Sequence, residues 1–410
     1  MVNFEFSEEQ KIFRESVKEF LQKHLQPAWT TIDEEHRIPV DLIYKMGEQG
    51  FFAIPVPEDF GGQGGDFVST VIAVEEVAYH DPSMAVAVYT LLNNAWPYIL
   101  YLYGTDEARQ TILPEVGRGR AFFGIASTEP HGGSDVAGTR TMARREGDKY
   151  IVNGEKIFIS GVREVMEQLD MGGWYLIART GTLEQRHRGI SGFALLGKKN
   201  GVKTPGIEYS ILNTIGRHGI STGILNLKDV EIPKSMLIGE ENRGFYYAME
   251  GFTLARITVA AANIGAARWA LEQAIEWSKN RVMYEDQRPI TRFQGVSFRI
   301  AEAAMELEAA RLLVYKAAWM ADRIYINKEP GLKPKDLNFY SASSKLKAVQ
   351  TAFNTLSLTM ELYGAASYVK ETNIARSFLG ALSYYVGAEG AQNIMRYIIA
   401  REVIGREYVK

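Results

Sequence analysis

The chain has 410 residues, of which 46% are hydrophobic and 23% are charged, and its formal net charge is −3. This length predicts two to three domains of about 150 residues each, and the near-neutral charge gives no electrostatic argument for binding nucleic acid or an anionic membrane. Cysteine is absent, which excludes disulfides, thiolate nucleophiles, Cys-ligated zinc and iron–sulfur clusters.

The N-terminal part of the chain is predicted to be helical. Its charged start, MVNFEFSEEQ, is not typical of a signal peptide, and no run of about 18 apolar residues follows anywhere in the chain. We therefore expect a cytoplasmic protein without a membrane segment. Ser7 stands three residues before Gln10, a capping-box pattern that opens a helix with one apolar stripe. Further helices are predicted at about 40–50, 66–80 and 84–103, so that residues 1–122 form an α domain.

The pattern changes to short strands after Phe122. The stretch YIVNGEKIFIS places Asn153-Gly154 between apolar runs, which predicts a β-hairpin turn at that pair. WYLIART, ISGFALL and GILNLKDVEIP add strands at the spacing of a sheet. Residues 123–238 are therefore predicted to form a small β domain.

Long helices dominate the last part of the chain, residues 239–410. Three extended apolar-periodic stretches run between the prolines at 289, 330 and 334, and two shorter ones follow at about 372–385 and 391–407. Their alanine- and glycine-rich faces favour closely packed helices, as in a bundle. The predicted fold class is α+β multidomain, in the order α, β, α bundle.

Several familiar site patterns are absent or misplaced. Gly219 to Gly223 match G-x-S-x-G, but that elbow passes from strand to helix, whereas ILNLKDVEIP continues as strand. The last histidine is His218, so the order Ser…Asp…His also fails. No G-x-G-x-x-G entering a helix and no P-loop is present, and the six histidines lack H-x-x-x-H spacing. We expect no serine hydrolase, nicotinamide or P-loop site, and no metal.

The loop STEPHGGSDVAG, residues 127–138, is rich in hydrogen-bond donors. It offers the hydroxyls of Ser127, Thr128 and Ser134. A hydrophilic turn between two domains is the alternative interpretation. In the following KIFISG, Phe158 and Ser160 lie two residues apart and would share one face of a strand. An aromatic ring and a hydroxyl on one face could flank a planar ring with polar edges.

Near the C-terminus, GAEGAQNIMRYIIARE isolates one carboxylate, Glu389, among residues with almost no side chain. One interpretation is a carboxylate favoured by the N-terminus of the helix that follows. The other is that the small residues clear space for a substrate and that Glu389 moves a proton.

Taken together, these motifs resemble the acyl-CoA dehydrogenase family of flavoproteins. The resemblance covers nearly the whole chain and rests on IPVPEDFGGQGG, ILPEVGRGRAFFGIASTEPHGGSD, NGEKIFISG, DVEIPKSMLIGEENRGF, RPITRFQGVSFRIAE and EGAQNIMRYIIARE. It implies an N-terminal α-helical domain, a middle β-barrel-like domain and a C-terminal four-helix bundle.

The resemblance also implies a reaction. An FAD-dependent enzyme of fatty acid β-oxidation would convert an acyl-CoA thioester to the trans-2-enoyl-CoA and pass electrons to an electron-transfer flavoprotein. Glu389 would take the α-proton while the β-hydride leaves to flavin N5. A second base position of the family falls on Ala255, before Arg256, which leaves Glu389 as the base.

The resemblance also implies a homotetramer whose flavin is shared between subunits, and it implies individual contacts residue by residue. The flavin contacts would be Ser127, Thr128, Gly133, Ser134, Phe158, Ser160, Arg281, Gln294, Gly364, Ala365 and Asn393. The substrate contacts would be Ser134, Phe252, Arg256 and Gly390.

The chain departs from the family pattern at several places. Where the family has Q-x-x-G-G-x-G, this chain has Glu361, Ala365 and Ser367 in place of the glutamine and two glycines. Ala388 replaces an aromatic residue and Ala391 a threonine, while Leu379-Gly380 or its neighbours replace an Arg-Asp pair that often precedes the base by about nine residues. These changes affect the adenosine contacts and the substrate subtype.

Other readings of the resemblance remain open. An acyl-CoA oxidase would return electrons to oxygen, and a non-enzymatic relative would bind nucleic acid through a basic face. Acyl length is also open, because the aromatics at positions 96, 98, 101 and 103 would either narrow the acyl pocket or pack in the core.

Overall fold

The structure is a computed structural model that describes residues 5–283 and 287–409. The first four residues of the charged start therefore lie outside the described residues. Within the described ranges, no helix is both long and apolar enough to cross a membrane.

Among the residues that the structure describes, six α-helices precede the first strand. They are α1 (Glu8–His24), α2 (Trp29–Glu34), α3 (Val40–Glu48), α4 (Phe67–His80), α5 (Ala85–Tyr103) and α6 (Asp106–Gly117). The predicted capping box is present, since the Ser7 hydroxyl accepts from the Gln10 backbone and the Gln10 side chain accepts from the Ser7 backbone. The sequence pattern missed α2, which has only six residues, and α6, which carries Pro114 inside the helix.

A mixed sheet forms the middle of the chain. Its strands are β1 (Ala121–Ala126), β2 (Met142–Glu146), β3 (Lys149–Ser160), β4 (Met171–Arg179), β5 (Ile190–Lys199), β6 (Val202–Lys203), β7 (Ile207–Ile211), β8 (Thr222–Pro233) and β9 (Leu237–Ile238). The strand order is β6-β5-β4-β2-β3-β8-β7, with β1 parallel to β4 and β9 paired with β5.

The predicted hairpin turn at Asn153-Gly154 is wrong. Both residues lie inside β3, where the pairing with β8 shifts register between Val152 and Gly154. The turn instead joins β2 to β3 at Gly147-Asp148. Glycine at position 154 allows Thr141 to pack closely against β3, because a Cβ there would lie 2.5 Å from the Thr141 hydroxyl.

The C-terminal helices are α7 (Gly244–Asn280), α8 (Gln294–Ala321), α9 (Asn338–Tyr363), α10 (Ile374–Val386) and α11 (Gln392–Ile404). Helix α7 packs against α4 and α5 of the first domain as well as against α8 and α9. The predicted order of helices, sheet and helical bundle is therefore present, with α7 joining the two helical parts.

Buried charges reinforce the junction between the helical domains. Glu75 and Glu76 of α4 are each 1% exposed. Arg268 of α7 approaches Glu75 at 2.6 Å, Arg311 of α8 approaches it at 3.0 Å, and Arg14 of α1 approaches Glu76 at 2.9 Å. Each carboxylate is therefore buried with a cationic partner, as a buried charge requires.

Candidate active site

A cavity of about 970 Å³ opens where the three parts of the chain meet. Its walls come from α5, α7, the loop after β1, the end of β3 and the segment between α10 and α11. Ten of the residues predicted as site residues line it: Ser127, Thr128, Gly133, Ser134, Phe158, Ser160, Phe252, Arg256, Glu389 and Gly390. Tertiary contact thus brings together positions that lie up to 263 residues apart in the chain.

A buried ion pair shapes the donor-rich loop on one wall. Lys156 donates to Glu129 Oε1 at 2.7 Å and to the Ser127 carbonyl at 3.1 Å. Glu129 also accepts from the backbone N–H groups of Arg140 and Thr141 at 2.7 and 3.0 Å. Burial raises the pKa of Glu129, but Lys156 and these hydrogen bonds outweigh it and hold the pKa at about 2. The loop is therefore a fixed part of the wall.

The cavity side of this wall suits a planar ligand with polar edges. Phe158 is 64% exposed although it is a large aromatic, and it has a φ of 61° at a β-bulge between Ile157 and Ile159. The hydroxyls of Thr128, Ser134 and Ser160 make no hydrogen bond to any other residue within 5–283 or 287–409. An exposed ring beside unpartnered hydroxyls fits the isoalloxazine of a flavin, which has flat faces and polar atoms at its edge.

The bulge also changes how Phe158 and Ser160 come together. The prediction assumed strict alternation along a regular strand, whereas the register shift interrupts that alternation at Phe158. Both residues nevertheless line the cavity, and Ile159 between them lines it as well.

Glu389 also lines the cavity and lies in the segment between α10 and α11. It is half-buried and stands two residues before Ala391, which is the N-cap of α11 and makes no side-chain cap. Glu389 is therefore not the cap of that helix. Burial raises the pKa of Glu389 above its usual value, while its own backbone N–H and the cations Lys345, Arg256 and Arg217 act in the opposite direction.

The backbone that carries Glu389 is held in an unusual conformation. Ala388 and Glu389 have φ values of 51° and 46°, and Gly390 has a φ of 112°. The positive φ of Gly390 favours glycine there, and the nearest atom to an added Cβ, at 2.6 Å, would be the terminal methyl carbon of the flexible Met395 side chain. Arg256 Nε donates to the Glu389 carbonyl at 3.0 Å.

Three residues around Glu389 were not predicted from the sequence. Lys345 of α9 donates to carbonyls of the Glu389 segment, and Arg217 and Tyr384 line the cavity. Lys345 lies on the buried face of α9 with Ser341 and Ala348. A lysine on an otherwise buried helix face is the sequence pattern that could have identified it. Arg217 and Tyr384 carried no comparable pattern.

An apolar region adjoins the polar one. Its lining residues come from two helices: Val88, Leu91 and Leu92 of α5, and Met249 and Phe252 of α7.

The aromatics at positions 96, 98, 101 and 103 do not line the cavity. Trp96 packs edge-on against Phe252 with ring centroids 5.3 Å apart, and Tyr103 stacks on Tyr247 at 4.2 Å. These aromatics therefore pack in the core, as the second interpretation predicted. Trp96 supports the cavity wall from behind through its contact with Phe252.

Five predicted flavin contacts lie away from the cavity and are exposed: Arg281, Gln294, Gly364, Ala365 and Asn393. The first four share one end of the bundle, where α7 ends, α8 begins and α9 ends; Trp277 and Tyr363 stack there at 4.2 Å. Glu361, which replaces the family's glutamine, pairs with Arg299 at 2.5 Å.

Within residues 5–283 and 287–409, no group of three or more His, Asp or Glu side chains could hold a metal ion.

Comparison with known proteins gives matches along nearly the whole chain. Family models described as acyl-CoA dehydrogenase N-terminal, middle and C-terminal domains match residues 7–120, 124–230 and 242–404. The probable acyl-CoA dehydrogenase YngJ of Bacillus subtilis (strain 168) is 33% identical over 407 residues, which cover 98% of this chain and 100% of that protein.

Solved structures show the same likeness. Butyryl-CoA dehydrogenase from Megasphaera elsdenii superposes with a TM-score of 0.87 at 29% identity, over 98% of this chain and 100% of that one. A chain of a structure described as the electron transferring flavoprotein of Acidaminococcus fermentans superposes with a TM-score of 0.87 at 32% identity, over 98% and 100% of the two chains.

Proposed function

The chain belongs to the acyl-CoA dehydrogenase family and is an oxidoreductase acting on a CH–CH group, and from this premise we propose that it removes the α-proton and β-hydride of an acyl-CoA thioester with FAD as cofactor. The observation that carries the proposal is the cavity itself. Glu389, the exposed ring of Phe158 and the unpartnered hydroxyls all line this one space. A base and groups able to hold a flavin in one cavity are what this reaction requires.

The residues that would hold the flavin ring are those of the donor-rich wall. Phe158 would cover one face, Thr128 and Ser160 would bond its polar edge, and Gly133 with Ser134 would lie beside it. FAD supplies the hydride acceptor when it is bound. The ion pair of Glu129 with Lys156 keeps these donors in place without a ligand, so little ordering is needed on binding.

Glu389 would act as the general base. Burial raises the pKa of Glu389, which brings the carboxylate closer to the acidity of the proton it must remove, while Lys345, Arg256 and Arg217 favour its charged form. The backbone N–H of Glu389 and the neighbouring Gly390 would bind the thioester, whose developing negative charge needs donors.

The acyl chain would occupy the apolar region between α5 and α7. Phe252, backed by Trp96, forms a rigid wall there. Replacing Phe252 with alanine is expected to shift the preference toward longer acyl groups, as measured by kcat/KM across a graded series.

Anaerobic titration with acyl-CoAs of graded length tests the proposed function. The wild type should bleach its flavin with at least one of them, and Glu389→Gln should reduce its flavin far more slowly. Glu371→Gln is the matched control, since Glu371 is exposed and outside the cavity. Wild-type flavin that no acyl-CoA reduces would refute the proposal, and equal rates for Glu389→Gln would refute the base.

The electron acceptor is proposed to be an electron-transfer flavoprotein, in keeping with fatty acid β-oxidation. The structural likeness to a chain described with an electron transferring flavoprotein supports this. Reduced flavin that recovers slowly in air but quickly with such a protein would agree. Fast recovery in air would identify an oxidase instead, and salt-dependent DNA binding would identify the nucleic-acid-binding alternative.

We further propose that the chain assembles with copies of itself, as a homotetramer. Helix α8 exposes an apolar stripe at seven-residue spacing: Phe298 (58% exposed), Met305 (63%), Leu312 (45%) and Trp319 (46%). A continuous exposed apolar stripe is typical of an interface. The stripe begins one turn from Gln294, so a partner seated on it would bring its own flavin near Arg281 and Gln294. Met305→Glu with Leu312→Glu should lower the mass measured by light scattering; an unchanged mass would contradict the interface.

A further inference from the structure

A buried lysine side chain lies directly behind the Glu389 segment. Lys345 is 0% exposed, which is rare for lysine. Its Nζ donates to the Gly390 carbonyl at 2.7 Å and to the Gly387 carbonyl at 3.3 Å. These are carbonyls on either side of Glu389, so the ammonium group bridges the ends of the segment.

The bridged segment needs such support. Two consecutive residues that are not glycine, Ala388 and Glu389, have positive φ values. A residue held in this region is strained and persists where the surrounding contacts over-determine it. With Lys345 on the outer carbonyls and Arg256 on the Glu389 carbonyl, three carbonyls of the segment accept from buried cations.

The charge of Lys345 is not used in a salt bridge. Among the described residues, no carboxylate lies within ion-pair distance of its Nζ, and its two hydrogen-bond acceptors are neutral carbonyls. Burying an ammonium group is costly, and neutral donors would serve carbonyls as well. The positive charge of Lys345 does act on the carboxylate of Glu389, because it favours the charged form of that carboxylate.

The other groups that face Glu389 come from three elements. Arg256 belongs to α7, Arg217 to the loop before β8, and Tyr384 to α10. Arg217 donates to Thr222 and Arg256 to the Glu389 carbonyl. Lys345, from α9, is the cation whose ammonium spans the segment from Gly387 to Gly390.

We propose that Lys345 is a positioning residue of the reaction, which fixes the left-handed backbone that presents Glu389 and supplies a positive charge behind that carboxylate. The inference rests on the proposed function, because it takes Glu389 as the base. Burial lowers the pKa of Lys345 to about 8, with Glu389 acting against that change, so the group is mostly charged at neutral pH. Removing it takes away a cation that lowers the pKa of Glu389.

Two readouts on the FAD-loaded protein test the proposal. Hydrogen exchange by mass spectrometry follows the amides of residues 387–391, and anaerobic flavin reduction by an acyl-CoA is followed against pH. In Lys345→Met these amides should exchange at least tenfold faster, and the acid limb of the reduction profile should move up by about one pH unit. Lys345→Arg, which keeps the charge, should leave the acid limb near its wild-type position.

The matched control is Lys347→Met, since Lys347 lies on the same helix but is partly exposed and pairs with Glu306. It should match the wild type in both readouts. Unchanged exchange and an unchanged acid limb in Lys345→Met would overturn the proposal, as would slower reduction with neither change. Should Lys345→Met not fold, Lys345→Gln replaces it, keeping a donor but no charge, and its acid limb must still move. Wild-type flavin that is not reduced refutes the proposed function instead, while the exchange data still decide the positioning.

Discussion

Glu75 lies between two arginines and Glu389 lies near three cations, yet the two carboxylates behave in opposite ways. Glu75 accepts directly from Arg268, from Arg311 and from the Tyr315 hydroxyl at 2.7 Å. At Glu389 the carboxylate has no ion pair and no side-chain hydrogen bond within the described residues, because Lys345 and Arg256 bind backbone carbonyls instead.

The pKa values follow from that difference. Burial raises the pKa of Glu75, yet Arg268 and Arg311 outweigh it and lower the pKa overall. Burial also raises the pKa of Glu389, and there the more distant cations only moderate the effect. Nearby cations therefore lower the pKa when they bind the carboxylate itself, as at Glu75, and only moderate its rise when they bind the backbone, as at Glu389.

The largest expected effect comes from Glu389→Gln. Loss of a general base should slow flavin reduction by roughly 10²–10⁴-fold, because the amide cannot accept the α-proton. Stopped-flow measurement of flavin absorbance at saturating acyl-CoA gives this rate. The thermal unfolding midpoint should not fall, since the substitution removes a buried carboxylate without an ion partner. A fall of several degrees would mean that Glu389 is structural, like Glu75.

Glu75→Ala should have the opposite profile. It leaves Arg311 without its buried carboxylate and Arg268 with Glu76 alone, which costs about 3–5 kcal/mol of unfolding free energy. Urea unfolding followed by fluorescence measures the loss. Flavin-reduction rates of the folded fraction should stay near the wild-type value, and a hundredfold slower rate would contradict the separation of the two sites.

The contributions of Glu75 and Glu389 to folding stability should also change with pH in opposite directions. Glu75 has a lower pKa in the folded than in the unfolded state, so its contribution to stability is present above the unfolded pKa and is lost as the pH falls through the folded pKa. The folded pKa of Glu389 is higher, so its charged form costs stability above that pKa, and the cost disappears as the pH falls below the ordinary value.

Unfolding midpoints of the wild type and Glu389→Gln between pH 4 and 8 test this sign. The variant should be the more stable of the two at neutral pH, and the difference should vanish near pH 4. A difference that grows toward low pH would reverse the assignment.

The smallest effect is expected at Glu361→Ala. Its ion pair with Arg299 is exposed, and such pairs contribute about 0–1 kcal/mol. Urea unfolding in low and in high salt should show a small difference that salt reduces further. A loss as large as that of Glu75→Ala would show that partner contacts bury this pair.

The sequence by itself determined the order of the domains and the family. Periodicity of three to four residues marked the long helices, and motifs such as STEPHGGSD and NGEKIFISG marked the donor-rich wall and β3. Glu389 stood out because its neighbours have almost no side chains. These signals are local, so they survive in a linear reading.

Only the tertiary structure decided how the site works. The pairing of β3 with β8 decided that Asn153-Gly154 forms an irregularity inside a strand and not a hairpin turn. The position of α7 decided that Trp96 packs behind Phe252 and does not line the cavity. Lys345 could be placed behind Glu389 only when α9 was packed against the segment between α10 and α11. Contacts between residues far apart in the chain set burial and charge, and burial and charge set the pKa that separates Glu389 from an ordinary helix-end carboxylate.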